Sequence, residues 1–224
     1  MHAVLVAGGT GALGSAVVRE LLGAGHPVTA TWVVEKERER VGEADGLSLV
    51  RADLMDPNAV DEAVRGVEDL GAVVNLVGGF ASGPRVHETD PDDWEGLLRL
   101  NLRPGFLLAR AAMPRLIERG GGAYVGVSAR PALRPFAGAA AYVTSKAAVL
   151  AFVQALDADY RGDRIRANAV LPSVIDTPAN RAAEPDADFS RWVQPAEIAK
   201  VIRFLVSDDS AVLGGAAIPV YGRA

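Results

Sequence analysis

The sequence predicts an α/β protein in which a doubly wound parallel sheet has helices on both faces, formed as a single domain from residues 1–224. Two patterns support this prediction. Short apolar runs of strand length alternate along the whole chain with longer segments that have helical periodicity. In addition, the first apolar run ends in a glycine-rich turn that opens the first helix, as is typical of strand–turn–helix units in parallel sheets.

The first half of the chain contains four predicted strands and three predicted helices. Its first run is continuously apolar, as expected of a strand that is covered on both faces. The first helix ends at glycines, and the second has a proline in its first turn. The third is expected to be disturbed near Pro104 and Pro114. The charge-dense patch at 35–43 predicts a solvated turn or a helix start. The strands are predicted at 3–7, 28–34, 47–52 and 72–77, and the helices at 13–22, 57–67 and 92–118.

The second half continues the alternation. Strands are predicted at 122–128, 165–171 and 216–220, with an alanine-rich helix at 139–160 and another helix at 195–206. The segment at 172–193 is the least regular part of the chain and begins where a strand ends. Ligands bind outside the carboxyl ends of the strands in such sheets, and long irregular loops in compact domains are usually either functional or disordered. We therefore predict that residues 172–193 form a substrate-binding loop.

The composition excludes several classes of site. The chain has no cysteine, which excludes disulfides, iron–sulfur clusters, thiolate zinc sites and a cysteine nucleophile. Its three histidines are scattered, which argues against a histidine metal site and a serine–histidine hydrolase. The net charge of -5 argues against a nucleic-acid partner. Neither a targeting signal nor a membrane span is recognised, so we expect a cytoplasmic protein that acts on a small molecule.

The glycine-rich turn after the first strand satisfies the pattern G-x-G-x-x-G at Gly9, Gly11 and Gly14. Glycines permit a tight turn and a close approach of the backbone to a pyrophosphate, and the helix N-terminus supplies free N–H groups and a positive dipole end. An ordinary glycine-rich turn is the alternative. The pattern predicts a Rossmann-type dinucleotide site whose candidate ligands here are Gly8, Thr10, Gly11, Ala12, Leu13 and Gly14.

The form of the cofactor should be decided at the end of the second strand. About twenty residues beyond the turn, NAD-binding sites carry an Asp or Glu for the ribose hydroxyls, whereas an Arg nearby accommodates a 2′-phosphate. Trp32 occupies this position, where it could stack on the adenine or pack on the sheet. Glu35, Lys36 and Arg38 are near enough in sequence to favour either form. Both NAD(H) and NADP(H) therefore stay open.

Two later strand ends carry further candidate cofactor ligands. Asp53, followed by Leu54, comes after the third strand and could accept a hydrogen bond from the adenine amino group. Asp56 is the candidate N-cap of the helix that follows. Asn75 and Gly78 close the fourth strand in a second glycine turn on the cofactor side.

Tyr142 and Lys146 lie four residues apart in the alanine-rich helix, so both project from one face. A nearby ammonium group favours phenolate and is expected to lower the pKa of Tyr142, which would make the phenol a usable general acid or base. The alternative is a half-exposed tyrosine beside a solvated lysine.

Two more polar residues are candidates for the same site. Ser128 ends the fifth strand, so its hydroxyl could point into the site beside Tyr142, or it could cap a turn. Asn101 lies in an apolar helix where its amide should find a partner. It could hold a water that relays protons to Lys146, or it could be a satisfied residue at a helix kink.

Taken in chain order, these features resemble the short-chain dehydrogenase/reductase superfamily over essentially the whole sequence. The matching features are the glycine turn, Asp53, Asn75 with Gly78, Asn101, Ser128, Tyr142 with Lys146, and residues 172–177. The resemblance implies NAD(H) or NADP(H) as cofactor and hydride transfer at nicotinamide C4.

The same resemblance implies roles for individual residues. Asn101, Ser128, Tyr142 and Lys146 would form a catalytic tetrad, in which Lys146 also holds the nicotinamide ribose. The backbone around Val174 and the hydroxyl of Thr177 would hold the nicotinamide carboxamide. Family members are usually homodimers or homotetramers, joined through the two long helices predicted here at 92–118 and 139–160.

A narrower resemblance concerns the loop. Residues 171–192, together with the glycine turn and residues 78–83, resemble the corresponding parts of dihydropteridine reductases, which use NADH to reduce a quinonoid dihydropterin. Those enzymes differ by an aspartate at the position of Trp32 and by the lack of a tetrad serine. Apolar pocket walls are expected from Phe80, Phe136, Val174 and Trp192.

The predicted function is hydride transfer between a nicotinamide cofactor and a carbonyl or alcohol substrate, with Tyr142 as general acid/base. A dihydropteridine-type reductase that uses NADH is one alternative. A regulatory protein that binds NAD(P) without turnover is another, from a different functional class.

Overall fold

The computed structural model describes residues 1–223 and contains one parallel sheet with the strand order β3-β2-β1-β4-β5-β6-β7. The predicted doubly wound parallel sheet is confirmed. The strands are β1 (Ala3–Ala7), β2 (Val28–Trp32), β3 (Leu47–Arg51), β4 (Leu70–Asn75), β5 (Gly122–Val127), β6 (Ile165–Pro172) and β7 (Ala217–Val220).

Helices cover both faces of the sheet. They are α1 (Ala12–Gly23), α2 (Pro57–Arg65), α3 (Pro91–Arg119), α4 (Ala140–Tyr160), α5 (Pro178–Ala183) and α6 (Pro195–Val206). One hydrophobic core packs α2, α3 and α4 against one face, and a second packs α1 and α6 against the other. Among residues 1–223, no helix combines the length and the apolar character that a membrane span requires.

Several element bounds differ from the predicted ones. The strand predicted at 28–34 ends at Trp32, and a short 3₁₀ helix occupies Glu35–Arg40 in the charged patch. The disturbance expected at Pro104 and Pro114 does not interrupt the third helix, because α3 is continuous through both prolines. Its buried leucines and Met113 anchor it on the sheet, which offsets the lost backbone hydrogen bonds. Asp56 caps α2 as predicted, since its side chain accepts from the Asn58 N–H.

The topology brings the candidate residues to one edge of the sheet. The strand order reverses between β1 and β4, because the chain first winds outwards from β1 to β3 and then returns to β4 beside β1. All strands are parallel, so their carboxyl ends meet at one edge. Ligands of such sheets bind in the crevice at this reversal. The glycine turn, Trp32, Asn75 and Ser128 all lie along this edge.

Candidate active site

The glycine turn folds tightly between β1 and α1. Gly8 has a φ of +74°, in the left-handed region that favours glycine. Its N–H donates to Thr31 Oγ1 at 3.0 Å, and the N–H of Gly9 donates to the Thr31 carbonyl at 3.1 Å. These two bonds fix the turn to the end of β2. A Cβ on Gly14 would lie 2.1 Å from the Gly8 carbonyl oxygen, so the helix start and the turn are in direct contact.

The start of α1 fits a dinucleotide pyrophosphate. Gly11 is the N-cap of the helix and offers no side chain to the first N–H groups. Within residues 1–223, the N–H groups of Ala12, Leu13 and Gly14 therefore have no side-chain cap and are free to bind an anion. The Thr10 side chain is buried in the turn. The close backbone approach that glycines allow is thus present where a phosphate would be held.

Replacing Gly14 with Ala is expected to reduce the free energy of unfolding by about 1–3 kcal/mol, because the new methyl group would overlap backbone atoms that cannot rotate away. The matched control is Gly11→Ala in the same turn. There the nearest atom would lie 3.4 Å from the added Cβ and φ is an ordinary −64°, so we expect only the smaller loss that comes from alanine being a poorer N-cap than glycine. Urea unfolding of the cofactor-free variants measures both. Equal losses from the two substitutions would contradict this packing argument.

The predicted adenine side lies at the ends of β2, β3 and β4. Trp32 is half-buried and pairs in register with Arg51. Asp53 is exposed, and its Oδ1 accepts from the Met55 N–H at 2.9 Å, whereas Leu54 is buried. Asn75 is 4% exposed and its Oδ1 accepts from the Val77 N–H at 3.1 Å. Asn75 therefore shapes the turn that leads to Gly78.

Gly78 brings Asn101 and Lys146 together. A Cβ at this glycine would lie 2.7 Å from Asn101 Oδ1 and 2.9 Å from Lys146 Nζ. Asn101 is almost fully buried, and its Oδ1 accepts from the Gly79 N–H at 2.7 Å. Its Nδ2 donates to Ser145 Oγ at 2.8 Å. The amide of α3 thus ties the loop after β4 to α4.

Ser145 is a site residue that the sequence interpretation missed. It is completely buried, accepts from Asn101, and donates to the carbonyl of Tyr142 at 2.8 Å. It therefore links Asn101 to the backbone of the tyrosine that is predicted to be catalytic. A serine next to Lys146 in an otherwise apolar helix was the available sequence signal.

Lys146 is 6% exposed, and its Nζ donates to the Val127 carbonyl at 3.1 Å. Burial of the ammonium group lowers the pKa of Lys146 to about 8. The alternative of a solvated lysine on a surface helix is therefore wrong. The ammonium group lies at the end of β5, beside Gly78 and Asn101.

Tyr142 lies one helical turn before Lys146, and its ring meets the edge of Phe80 with centroids 4.9 Å apart. The expected lowering of its pKa is wrong, because burial raises the pKa of Tyr142 to about 12. Burial is the only cause of this shift, and the Lys146 ammonium donates to the Val127 carbonyl. The phenol is therefore neutral and carries a proton at neutral pH.

The Ser128 hydroxyl was expected to point into the site beside Tyr142, but it is bonded to the backbone of α4 instead. Ser128 is 2% exposed, and its hydroxyl donates to the backbone carbonyl of Lys146 at 2.7 Å. The alternation of the strand explains this direction. A Cβ on Gly126 would contact Val153 of α4, and Ser128, two residues later, faces the same helix. The next residue, Ala129, has no polar side chain.

Replacing Ser128 with Ala is expected to lower the free energy of unfolding by about 1 kcal/mol, because a buried hydrogen bond between β5 and α4 is lost. Its kcat should stay within about threefold of the wild type, far from the ~10²-fold or larger loss expected of a proton-transfer group. Thermal melting and steady-state rates test the two effects separately. A hundredfold fall in kcat (a rough threshold) with unchanged stability would restore Ser128 to the catalytic set.

The loop at 172–193 contains α5 and packs back on itself. Thr177 caps α5 by accepting from the Asn180 N–H at 3.2 Å, and the Val174 carbonyl accepts from the Val193 N–H at 3.0 Å. Trp192 is only 8% exposed, with its ring 4.7 Å from that of Phe189. The indole is thus packed inside the loop, and its role as a pocket wall stays a prediction. Val174 is 36% exposed.

Comparisons with known proteins agree with this architecture. The family model described as Enoyl-(Acyl carrier protein) reductase matches residues 8–222. The 2-(R)-hydroxypropyl-CoM dehydrogenase of Xanthobacter autotrophicus (strain ATCC BAA-1158 / Py2) is 31% identical over 240 residues, which cover 97% of this chain and 96% of that protein.

Solved structures show the same fold at lower identity. A short-chain type dehydrogenase/reductase from Mycobacterium ulcerans has a TM-score of 0.92 and 24% identity, covering 99% of this chain and 89% of its own. ElxO with NADP bound has a TM-score of 0.91 and 22% identity, with coverages of 99% and 98%. Because the family match and the 31% identical relative both span nearly the full length, the chain belongs to the short-chain dehydrogenase/reductase superfamily of NAD(P)(H)-dependent oxidoreductases.

Proposed function

We propose that this enzyme reduces a carbonyl group, or oxidises the corresponding alcohol, with Tyr142 as the group that exchanges a proton with the substrate oxygen. The observation that carries the proposal is the burial of the Lys146 ammonium beside Gly78 at the carboxyl edge of the sheet, one turn of α4 from Tyr142. When bound, the nicotinamide supplies or accepts the hydride.

The residues around the phenol would have separate roles in the reaction. In reduction, the neutral Tyr142 donates its proton to the substrate oxygen, and the charged Lys146 nearby stabilises the phenolate that forms. Asn101 holds the loop that contains Gly79, and its hydrogen bond to Ser145 fixes the position of α4 relative to that loop. It is also suitably placed for the proposed proton relay to Lys146, since both side chains adjoin Gly78.

Cofactor binding is assigned to the glycine turn and to the adenine-side residues described above, with Lys146 at the nicotinamide ribose. Val174 and Thr177 are proposed to hold the carboxamide. The Thr177 hydroxyl accepts one hydrogen bond within α5, which leaves its own proton available to a carbonyl oxygen.

The mouth of the site favours an apolar or flat substrate. Three large apolar side chains on loops at the carboxyl edge are open to solvent, namely Phe80 (63% exposed), Leu133 (53%) and Phe136 (46%). Phe80 also contacts the ring of Tyr142, so the reacting oxygen would be bound next to an aromatic surface. We propose that the loop at 172–193 closes the remaining side of this pocket.

A quinonoid dihydropterin is the second candidate substrate. The observation that favours it is the position of the Ser128 hydroxyl, which donates to the Lys146 carbonyl instead of facing the substrate. Dihydropteridine reductases lack a tetrad serine. Because the Ser128 hydroxyl is bonded to the Lys146 carbonyl, the presence of this serine no longer argues against a pterin substrate. The difference at Trp32 stays.

Initial rates of NADH and NADPH oxidation with a simple diketone and with a quinonoid dihydropterin test both candidates. Diketone reduction without pterin turnover supports a carbonyl reductase, and rapid pterin turnover supports the second candidate. Cofactor binding without turnover of any carbonyl substrate would contradict both and indicate a regulatory nucleotide-binding protein.

We also propose a homodimer or homotetramer joined through α3 and α4. Three large apolar side chains of α3, Leu100 (38%), Phe106 (53%) and Ile117 (42%), are exposed in the single chain. Light scattering of the wild type and of Phe106→Glu would test this assembly. A wild-type monomer at micromolar concentration would contradict it.

A further inference from the structure

We propose that this enzyme prefers NADPH, and that Arg51 and Arg38, held against the Trp32 indole, bind the 2′-phosphate. This inference rests on the proposed function, because it concerns the adenosine end of the same cofactor. It decides between the two cofactor forms, selects Arg38 from the charged residues that the sequence left open, and adds Arg51, which the sequence interpretation did not consider.

Trp32 occupies the position at which the ribose hydroxyls of a dinucleotide would be recognised. The two hydrogen bonds from the glycine turn end on Thr31, so the next residue along β2 lies directly beside the turn. A carboxylate at this position would bind the unphosphorylated diol and repel a 2′-phosphate. Trp32 has no charge, so it neither binds the diol as a carboxylate would nor repels a 2′-phosphate.

Two guanidinium groups lie against the Trp32 ring. The Arg38 carbon Cζ is 4.9 Å from the ring centroid and that of Arg51 is 5.9 Å away, both within the range of cation–π contacts. Arg51 reaches the ring because it is the register partner of Trp32 in the β2–β3 pair. The indole therefore contacts two cations that are thirteen positions apart in the chain.

The charges around this ring leave one cation uncompensated. Arg38 pairs with Glu35, and Arg40 pairs with Glu37 at 2.8 Å while donating to the Thr10 carbonyl of the glycine turn at 3.3 Å. Within residues 1–223, Arg51 has no ion pair or side-chain hydrogen bond. A phosphate dianion would give Arg51 a partner and compete with Glu35 for Arg38.

Guanidinium groups suit this ligand because their planar fork binds two phosphate oxygens at once. Stacking on an indole holds the fork in place while leaving its N–H groups free, which reduces the entropy lost on binding. A neutral ribose diol gains little from the same groups. The structure thus provides for the one chemical difference between NADP(H) and NAD(H).

Adenosine 2′,5′-bisphosphate and adenosine 5′-monophosphate isolate this end of the cofactor, and calorimetric titration measures their binding without any turnover. The wild type is expected to bind the bisphosphate about tenfold or more tightly than the monophosphate. Arg51→Ala and Arg38→Ala should each remove most of that preference and leave monophosphate binding within about twofold. Arg65→Ala, at the far end of α2, is the control and should change neither.

Equal affinity for the two fragments, or an Arg51→Ala variant that keeps the full preference, would overturn the inference. The proposed function would survive that outcome if NADH still supported carbonyl reduction. Failure of both fragments and of both intact dinucleotides to bind would instead overturn the proposed function, and the inference with it.

Discussion

Replacing Tyr142 with Phe should lower kcat for carbonyl reduction by about 10²–10⁴-fold, because the ring keeps its shape but has no proton to transfer. Cofactor affinity and thermal stability should change little. The phenol departs from its ordinary pKa through burial alone, without a hydrogen bond that the substitution would break. Steady-state rates at saturating substrate, with calorimetry for the cofactor, measure the two properties.

The same helix provides a matched control for this variant. Tyr160 is the last residue of α4, eighteen positions beyond Tyr142, and Tyr160→Phe should leave kcat unchanged. A Tyr142→Phe enzyme that retained half of the wild-type kcat, by rough measure, would remove Tyr142 from the proposed proton transfer.

Replacing Lys146 with Met should abolish most activity and yet stabilise the cofactor-free protein. The ammonium group is buried with one backbone acceptor, and burial lowers the pKa of Lys146 from 10.5 to about 8. A pKa that is lower in the folded than in the unfolded chain means that the buried charge opposes folding. Methionine has a similar length and no charge, so we expect a gain of roughly 1–3 kcal/mol near pH 7.

The pH dependence of this gain has a defined sign. Below pH 8 the lysine is charged in both states and its full cost is present. Between pH 8 and 10.5 the folded state binds fewer protons than the unfolded state, so the stability of the wild type rises with pH. The advantage of Lys146→Met should therefore shrink between those values.

Urea unfolding of cofactor-free protein at neutral and at alkaline pH measures this difference. Lys200 is an exposed lysine on α6, and Lys200→Met is the control that should show no pH-dependent gain. A Lys146→Met variant that is less stable than the wild type near pH 7 would contradict the argument. It would mean that the bond to the Val127 carbonyl outweighs the burial of the charge.

The strands and helices were predictable because their patterns are local. A continuous apolar run such as 3–7 needs no information from elsewhere in the chain, and α6 begins and ends where its periodicity does. The ends of strands and helices, and the effect of prolines inside a helix, were less predictable. β2 stops at Trp32 because the charged residues after it fold into a 3₁₀ helix, and α3 stays continuous through two prolines because the sheet holds it.

The sequence by itself determined the fold class, the glycine turn that is proposed to bind the cofactor, and the Tyr142–Lys146 pair, since these depend on spacing along the chain. Only the tertiary structure decided the direction of the Ser128 hydroxyl and of the two pKa shifts, because these depend on what covers each group. It also decided the contact between Trp32 and Arg51. That contact depends on the register of β2 with β3, which is set by the packing of the whole sheet.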